Sequence, residues 1–224
     1  MKAITFSYDD GVTQDRRLVE ILNRYGLKAT FNVNSELLGS MNTLTRSGKQ
    51  ISHNKINADE VATLYQGHEV AVHTLTHPHL TYLEKDEIIR QVEQDRENLS
   101  RLCGYEVVGM AYPGGGFQNS DRVEAVIRHH TGVKYARTIS LSYSFNKQEN
   151  IFRYKPTAFH KDFEVNYHLV DEFFAHEGDG IFYIWGHSYE FDIDDSWEEF
   201  ERFCKYISGR DNVKYLTNRE ILLG

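Results

Sequence analysis

Cysteine is scarce: Cys103 and Cys204 are the only two in 224 residues. Each falls on a helical stretch, so a buried thiol is expected at both positions rather than a disulfide or a cysteine-based metal site. Long hydrophobic runs are missing too, and none approaches the roughly 20 residues of a membrane span. There is no basic run, and the formal net charge is −8, which argues against nucleic acid or an anionic membrane as partner. No linker, internal repeat or low-complexity segment interrupts the chain, so residues 1–224 read as one domain. No signal peptide is expected. Met1 to Phe6 runs directly into a β-rich segment, and the expected location is the cytoplasm.

What remains is a composition suited to a globular enzyme. At 40% hydrophobic and 26% charged residues, the chain is long enough to bury one sizeable core. Lys2–Tyr8 is β-rich, and Leu18, Ile21, Leu22 and Tyr25 follow at helical spacing before Gly26, which makes one βα unit. Lys28–Asn34, His68–Thr74, Val107–Tyr112, Lys134–Thr138, Ile181–Trp185 and Val213–Leu216 read as further strands. Between them, helices are expected from Asn57 to Gly67, along Ile88 to Leu102, over Asp121–His130, over Phe163–His176 and over Trp197–Ile207. Asn57 with Glu60, and Thr81 with Glu84, have the spacing of capping boxes. Residues 39–55 read as a polar loop, and 140–161 as loops with one short strand. Strands alternating with helices about seven times predict a parallel sheet or barrel.

Barrels of this class place their chemistry at the C-terminal ends of the strands. By this reading Asp9, Asp10, His73, Pro113 and His187 all fall at such ends. Asp9 and Asp10 are adjacent, so in regular extended geometry they point to opposite faces. One carboxylate is then available to a metal while the other stays free as a base. His73 and His77 add two imidazoles, and Pro78 disfavours helical geometry at His77, so that a loop returns the second ring towards the first. One carboxylate with two imidazoles leaves an open position for water, as a catalytic zinc site requires.

These residues resemble a known family. Asp9-Asp10-Gly11 preceded by Ile4-Thr5-Phe6, His73-x3-His77, Tyr112-Pro113-Gly114-Gly115 and the late His187 are similar to the motifs of the polysaccharide deacetylases, carbohydrate esterase family 4, also called the NodB homology domain. Lys28-Ala29-Thr30-Phe31 and Thr217-Asn218-Arg219-Glu220 extend the resemblance to nearly the whole chain. It implies a distorted (β/α)7 barrel that holds a divalent transition metal, most commonly Zn2+, through Asp10, His73 and His77. It further implies Asp9 as general base towards the metal-bound water that acts as nucleophile, His187 as general acid, and a backbone N–H at Gly114 as oxyanion donor. Tyr112, Pro113 and Trp185 become the expected substrate-binding residues.

Two positions depart from the family pattern. Ala111 stands where an arginine usually orients the base, and Arg153 or Arg137 is then expected to supply the guanidinium, with a slight preference for Arg153. The aspartate and tryptophan motif that tunes the general acid is missing from 140–145, and Glu190 or Asp192 is the expected substitute. The reading that follows is a hydrolase that removes an N-acetyl group from an N-acetylated sugar or a related small amide. The rivals are a cyclic amide or ureide hydrolase on the same fold and a non-catalytic carbohydrate-binding relative. A magnesium-dependent phosphoryl transfer through Asp9 suits two histidine ligands poorly.

Overall fold

The computed structural model describes residues 1–46 and 48–224. In chain order its elements are β1 (Lys2–Asp9), α1 (Asp15–Arg24), β2 (Ala29–Val33), β3 (Thr43–Arg46), β4 (Lys49–Ser52), α2 (Val61–Leu64), β5 (Glu69–Val72), α3 (Lys85–Ile89), α4 (Asp95–Cys103) and β6 (Gly109–Ala111). There follow α5 (Asp121–His130), β7 (Tyr135–Arg137), β8 (Ala158–Phe159), α6 (Phe163–Ala175), β9 (Gly180–Gly186), α7 (Glu190–Asp194), α8 (Trp197–Ile207), β10 (Val213–Tyr215) and α9 (Asn218–Leu223). A π-helical stretch, Arg90–Gln94, joins α3 to α4.

The main sheet runs β7-β6-β5-β2-β1-β9-β8, and every pairing in it is parallel. Its two ends are linked, because Tyr154, just upstream of β8, forms a parallel bridge with Arg137 at the end of β7. The result is the expected distorted barrel of seven staves, with the 154–159 segment as the closing one. β10 is the distortion: it pairs with Lys2–Ile4 on the edge of β1 that β2 occupies further along, at Phe6–Asp9. Both faces of β1 are covered, so from Ala3 onward every residue of it is buried. The helices that cover the sheet are amphipathic. On α8, for example, Trp197, Phe200, Phe203, Cys204 and Ile207 face inward at helical spacing. No helix among the described residues is long and apolar enough to cross a membrane.

Three local expectations need correction. The polar stretch 39–55 contains an antiparallel hairpin, β3 against β4, in which Leu44 faces Ile51 across the ladder. These two side chains pack on Val12, Tyr189 and Ile193, a satellite core away from the barrel. Only one side chain per strand is apolar, so the period-2 signal was too sparse to read. Thr81 caps no helix: its hydroxyl donates to the Phe117 carbonyl at 2.9 Å, and α3 begins after Glu84. The short helix α7, just after His187, was not anticipated at all. The Asn57–Glu60 capping box does form, although it opens a 3-10 turn before α2.

Candidate active site

β1 delivers both aspartates to the same end of the barrel. Asp9 is its last residue, and at Asp10 the backbone enters the left-handed region with φ 83°. That turn breaks the strand alternation, so both carboxylates line one cavity of about 270 Å³. A left-handed non-glycine residue is costly and persists only when its surroundings fix it. Here the Asp10 N–H donates to Asn32 O at 3.0 Å, and the buried Lys55 ammonium donates to Asp10 O at 2.8 Å. Thr74 and His77 are also left-handed, with φ 69° and 61°. Asn34 bonds the carbonyls of His73 and Thr74, and the His77 N–H donates to the Thr74 hydroxyl at 3.1 Å. Among the described residues, three of the five left-handed non-glycine positions thus lie in the two loops that carry Asp10 and His77, the others being Tyr143 and Asp195.

Asp10, His73 and His77 offer ligand atoms that all lie within 4.8 Å of one another. The two imidazoles meet at 68° with centroids 4.9 Å apart. His73 Nδ1 lies 2.9 Å from the Ala111 carbonyl, which can only accept, so the proton sits on Nδ1 and the Nε2 lone pair is left for the cavity. Burial lowers the His73 pKa to about 4 and also lowers that of His77, so both rings are neutral near pH 7. Burial alone would raise Asp10, but the close approach of His53, whose Nε2 is 3.6 Å from Oδ2, and the charge of Lys55, whose Nζ is 3.4 Å from Oδ1, hold it well below the usual carboxylate range.

Asp9 meets a different partner. The guanidinium of Arg137, itself fully buried, donates through Nη2 to Asp9 Oδ1. Asn32 Nδ2 donates to the same oxygen at 2.8 Å. Arg137 is held in turn by Ser7 Oγ at 3.1 Å and by the Trp185 ring, 4.9 Å from its centroid. Burial pushes Asp9 up, but Arg137 and the nearby histidines outweigh it and its pKa is lowered. Arg153, the slightly preferred candidate, does not reach Asp9. It ends a 3-10 turn, Ile151–Arg153, on the outside of the barrel and pairs with Asp121 at 2.7 Å and Glu124 at 2.9 Å.

On the opposite wall, His187 Nδ1 lies 3.1 Å from Glu190 Oε2, and the same oxygen accepts from the buried His160 Nε2 at 2.9 Å. Burial lowers the His187 pKa, but the hydrogen bond and charge of Glu190 more than offset this and raise it. Of the two acids expected behind His187, Asp192 turns away and bonds Gln14 and the Trp197 indole. Tyr112, Trp185 and Gly114 line the cavity. Pro113 is buried and outside that lining, a correction to its expected place beside the substrate. Gly114 has φ 82°, a left-handed conformation that disfavours a side chain, and a Cβ there would come within 2.6 Å of the His79 ring unless that exposed ring moved. His53, Lys55, Asn32 and His160 went unnoticed in the sequence. Asn32 directly follows the Lys28–Phe31 segment and the other three flank no motif, and only the fold brings them to the aspartates and to Glu190.

Residues 1–135 match the sequence profile of the family described as Polysaccharide deacetylase. Among solved structures, the chain is similar to the peptidoglycan deacetylase PdaC from Bacillus subtilis (19% identity, 98% of this chain and 89% of that one, TM-score 0.57). It is also similar to the Xyl-CE4 domain of a multidomain xylanase from the hindgut metagenome of Trinervitermes trinervoides (17% identity, 99% and 90%, TM-score 0.60). The likeness to the Streptococcus pyogenes deacetylase PplD, solved in complex with acetate, covers 61% of this chain at 20% identity and TM-score 0.50. In that match the chain spans about half, 55%, of the relative's length. At these identities the likeness is one of fold. No curated protein matches the chain at the sequence level.

Proposed function

The chain belongs to the polysaccharide deacetylase family, and from that membership we propose that it is a metal-dependent hydrolase that removes the N-acetyl group from an N-acetylated sugar or a related small amide. Asp10, His73 and His77 would hold the ion. One carboxylate and two neutral imidazoles suit a divalent transition metal, zinc best, and the Nδ1 tautomer of His73 leaves the required lone pair on the cavity side. Such a cation, when bound, supplies a Lewis acid for the acyl carbonyl and an activated water.

The remaining roles belong to the chain. Asp9 accepts the proton of the attacking water as general base. Both of its hydrogen bonds go to Oδ1, so Oδ2 is left for that proton. Arg137 and Asn32 orient it and keep it ionised. His187, whose Nδ1 is held by Glu190, presents Nε2 and gives its proton to the departing nitrogen. Gly114 offers the candidate oxyanion N–H, while Tyr112 and Trp185 form walls for the sugar.

The observation that carries this reading is the convergence on one cavity of the Asp10–His73–His77 cluster, the Asp9–Arg137 pair and the His187–Glu190 pair. It is tested by metal analysis of the purified protein followed by an acetate-release screen on N-acetyl sugars, with chelated protein as control. Stoichiometric metal with chelator-sensitive acetate release is expected. A chain that holds no metal, or that releases acetate equally after chelation, overturns it.

A further inference from the structure

A second cavity, of about 330 Å³, adjoins the first and is roofed by the β3–β4 hairpin. The two share Asp10, Arg46, His77 and Tyr189, so they form one continuous depression on either side of Asp10. Beyond the shared wall, the hairpin compartment is lined by His53 and Lys55, and Asp10 is its only carboxylate. In a chain of net charge −8 that bias is local and does not follow from composition.

Pairing off the charges isolates one residue. Asp9 is met by Arg137, Asp10 by Lys55 at 3.4 Å, and Glu190 by His187 at 3.1 Å. Arg46 is left over. Its nearest carboxylate oxygen, Glu190 Oε1, is 3.9 Å away, beyond hydrogen-bond reach, and among the described residues its guanidinium makes no hydrogen bond. Its side chain is 55% exposed, yet its backbone is well placed. The hairpin is clamped by Gln14 Nε2 to Ser52 O at 2.7 Å, by Lys49 Nζ to Ile193 O at 2.6 Å, and by Leu44 and Ile51 packed on Tyr189 and Ile193. A guanidinium carried to a site mouth by an anchored hairpin, with its planar fork of donors making no hydrogen bond among the described residues, suits a carboxylate or a phosphate.

We propose that the hairpin cavity is a subsite for an anionic group, carboxylate or phosphate, carried by the N-acyl sugar, with Arg46 as its counter-ion and specificity-determining residue. The proposal rests on the deacetylase reading for the sugar, but not for the anion. A neutral N-acetyl sugar would fill the first cavity and leave the second, with its loosely paired cation, unused. The overall negative charge of the protein opposes long-range attraction of anions, so the preference must come from close contact and resist moderate salt.

The test compares N-acetylglucosamine with N-acetylmuramic acid and N-acetylglucosamine 1-phosphate, in acetate release and in calorimetric binding. Wild-type protein should favour at least one anionic sugar by tenfold or more in kcat/KM, mostly through KM, and the two anionic arms distinguish carboxylate from phosphate. Arg46→Gln should cut the anionic-to-neutral ratio about tenfold, and Arg46→Lys should restore part of it. Arg202→Gln removes the same charge from α8, where it pairs with Glu199, and should leave the ratio unchanged. Equal handling of neutral and anionic sugars, or an Arg46→Gln effect that is the same on all three, overturns the subsite. If no sugar releases acetate, the deacetylase reading falls, and the binding preference alone still decides for or against the anion site.

Discussion

The two walls of the cavity shift the pKa of the same side chain in opposite directions. His73 and His187 are both deeply set, and burial lowers the pKa of each. What differs is the atom behind the ring. A neutral carbonyl, Ala111 O, stands behind His73, which stays near a pKa of about 4. The ionised carboxylate of Glu190 stands behind His187 and reverses the sign of its shift. The lesson is that burial alone does not decide the role of a histidine. Burial prevails at His73, which has a carbonyl behind it, and also at His160 despite its bond to Glu190, whereas at His187 the hydrogen bond and charge of Glu190 outweigh it.

The sharpest way to break that contrast is to remove the ligand wall. His73→Ala with His77→Ala should abolish both bound metal and turnover, while the fold persists because these rings lie at strand ends and not in the barrel core. Metal retained at one equivalent would sink the assignment, since a single aspartate cannot hold zinc against a chelator. Asp9→Asn should do the reverse, keeping the metal while the rate falls by on the order of 10² or more. If it is Asp9→Asn that releases the metal, the two aspartates exchange roles.

Next in size is Arg137→Met. Breaking a buried pair leaves an uncompensated charge and typically costs about 3–5 kcal/mol, which a melting curve reads directly. The double variant Asp9→Asn/Arg137→Met should recover part of that loss. In the pH profile, Asp9 deprived of a cation protonates more readily, so the acidic limb moves to higher pH. Arg153→Met, on the outer surface, should leave that limb where it is. An acidic limb that follows Arg153 and ignores Arg137 would contradict the geometry.

These variants also mark the boundary of what the sequence made legible. The strand ends, the adjacent aspartates and His73-x3-His77 are local patterns, and local patterns survive in one dimension. Helices α5 and α8 were read to the residue because their apolar periodicity is strong and Ser120 caps the first. The partners of those site residues were not legible. Arg153 sits between Phe152 and Tyr154, and Arg137 between Ala136 and Thr138, and only the path of 138–153 outside the barrel decides that one guanidinium enters and the other does not. Lys55 and His53 lie in a polar stretch whose sparse alternation hid a hairpin. Asp10 itself was expected to diverge from Asp9, and its left-handed backbone is what turns it back.

On the acid wall, Glu190→Gln keeps a hydrogen-bond acceptor for His187 but removes the charge. The imidazolium loses its stabilisation, so its pKa falls, and the form able to donate a proton disappears at lower pH. The alkaline limb of the rate should therefore move down, with a loss on the order of 10-fold near neutrality, less than removal of the acid itself. An unmoved limb would mean that Glu190 does not set the charge of His187.

The smallest expected effect carries the opposite sign. His160 donates through Nε2 to the same Glu190 oxygen that holds His187, and burial keeps His160 itself neutral. It competes with His187 for Oε2. Phenylalanine suits the position, because Tyr8, Phe159 and Phe191 already surround the ring, with centroids 5.5, 5.0 and 4.5 Å away. In His160→Phe the Glu190 carboxylate loses one donor and leans more heavily on His187, so the imidazolium is better stabilised and the alkaline limb should move slightly up. The lost donor to a buried carboxylate should cost about 1–3 kcal/mol in stability. A limb that moves down, as with Glu190→Gln, would show that His160 holds Glu190 in place rather than sharing its charge.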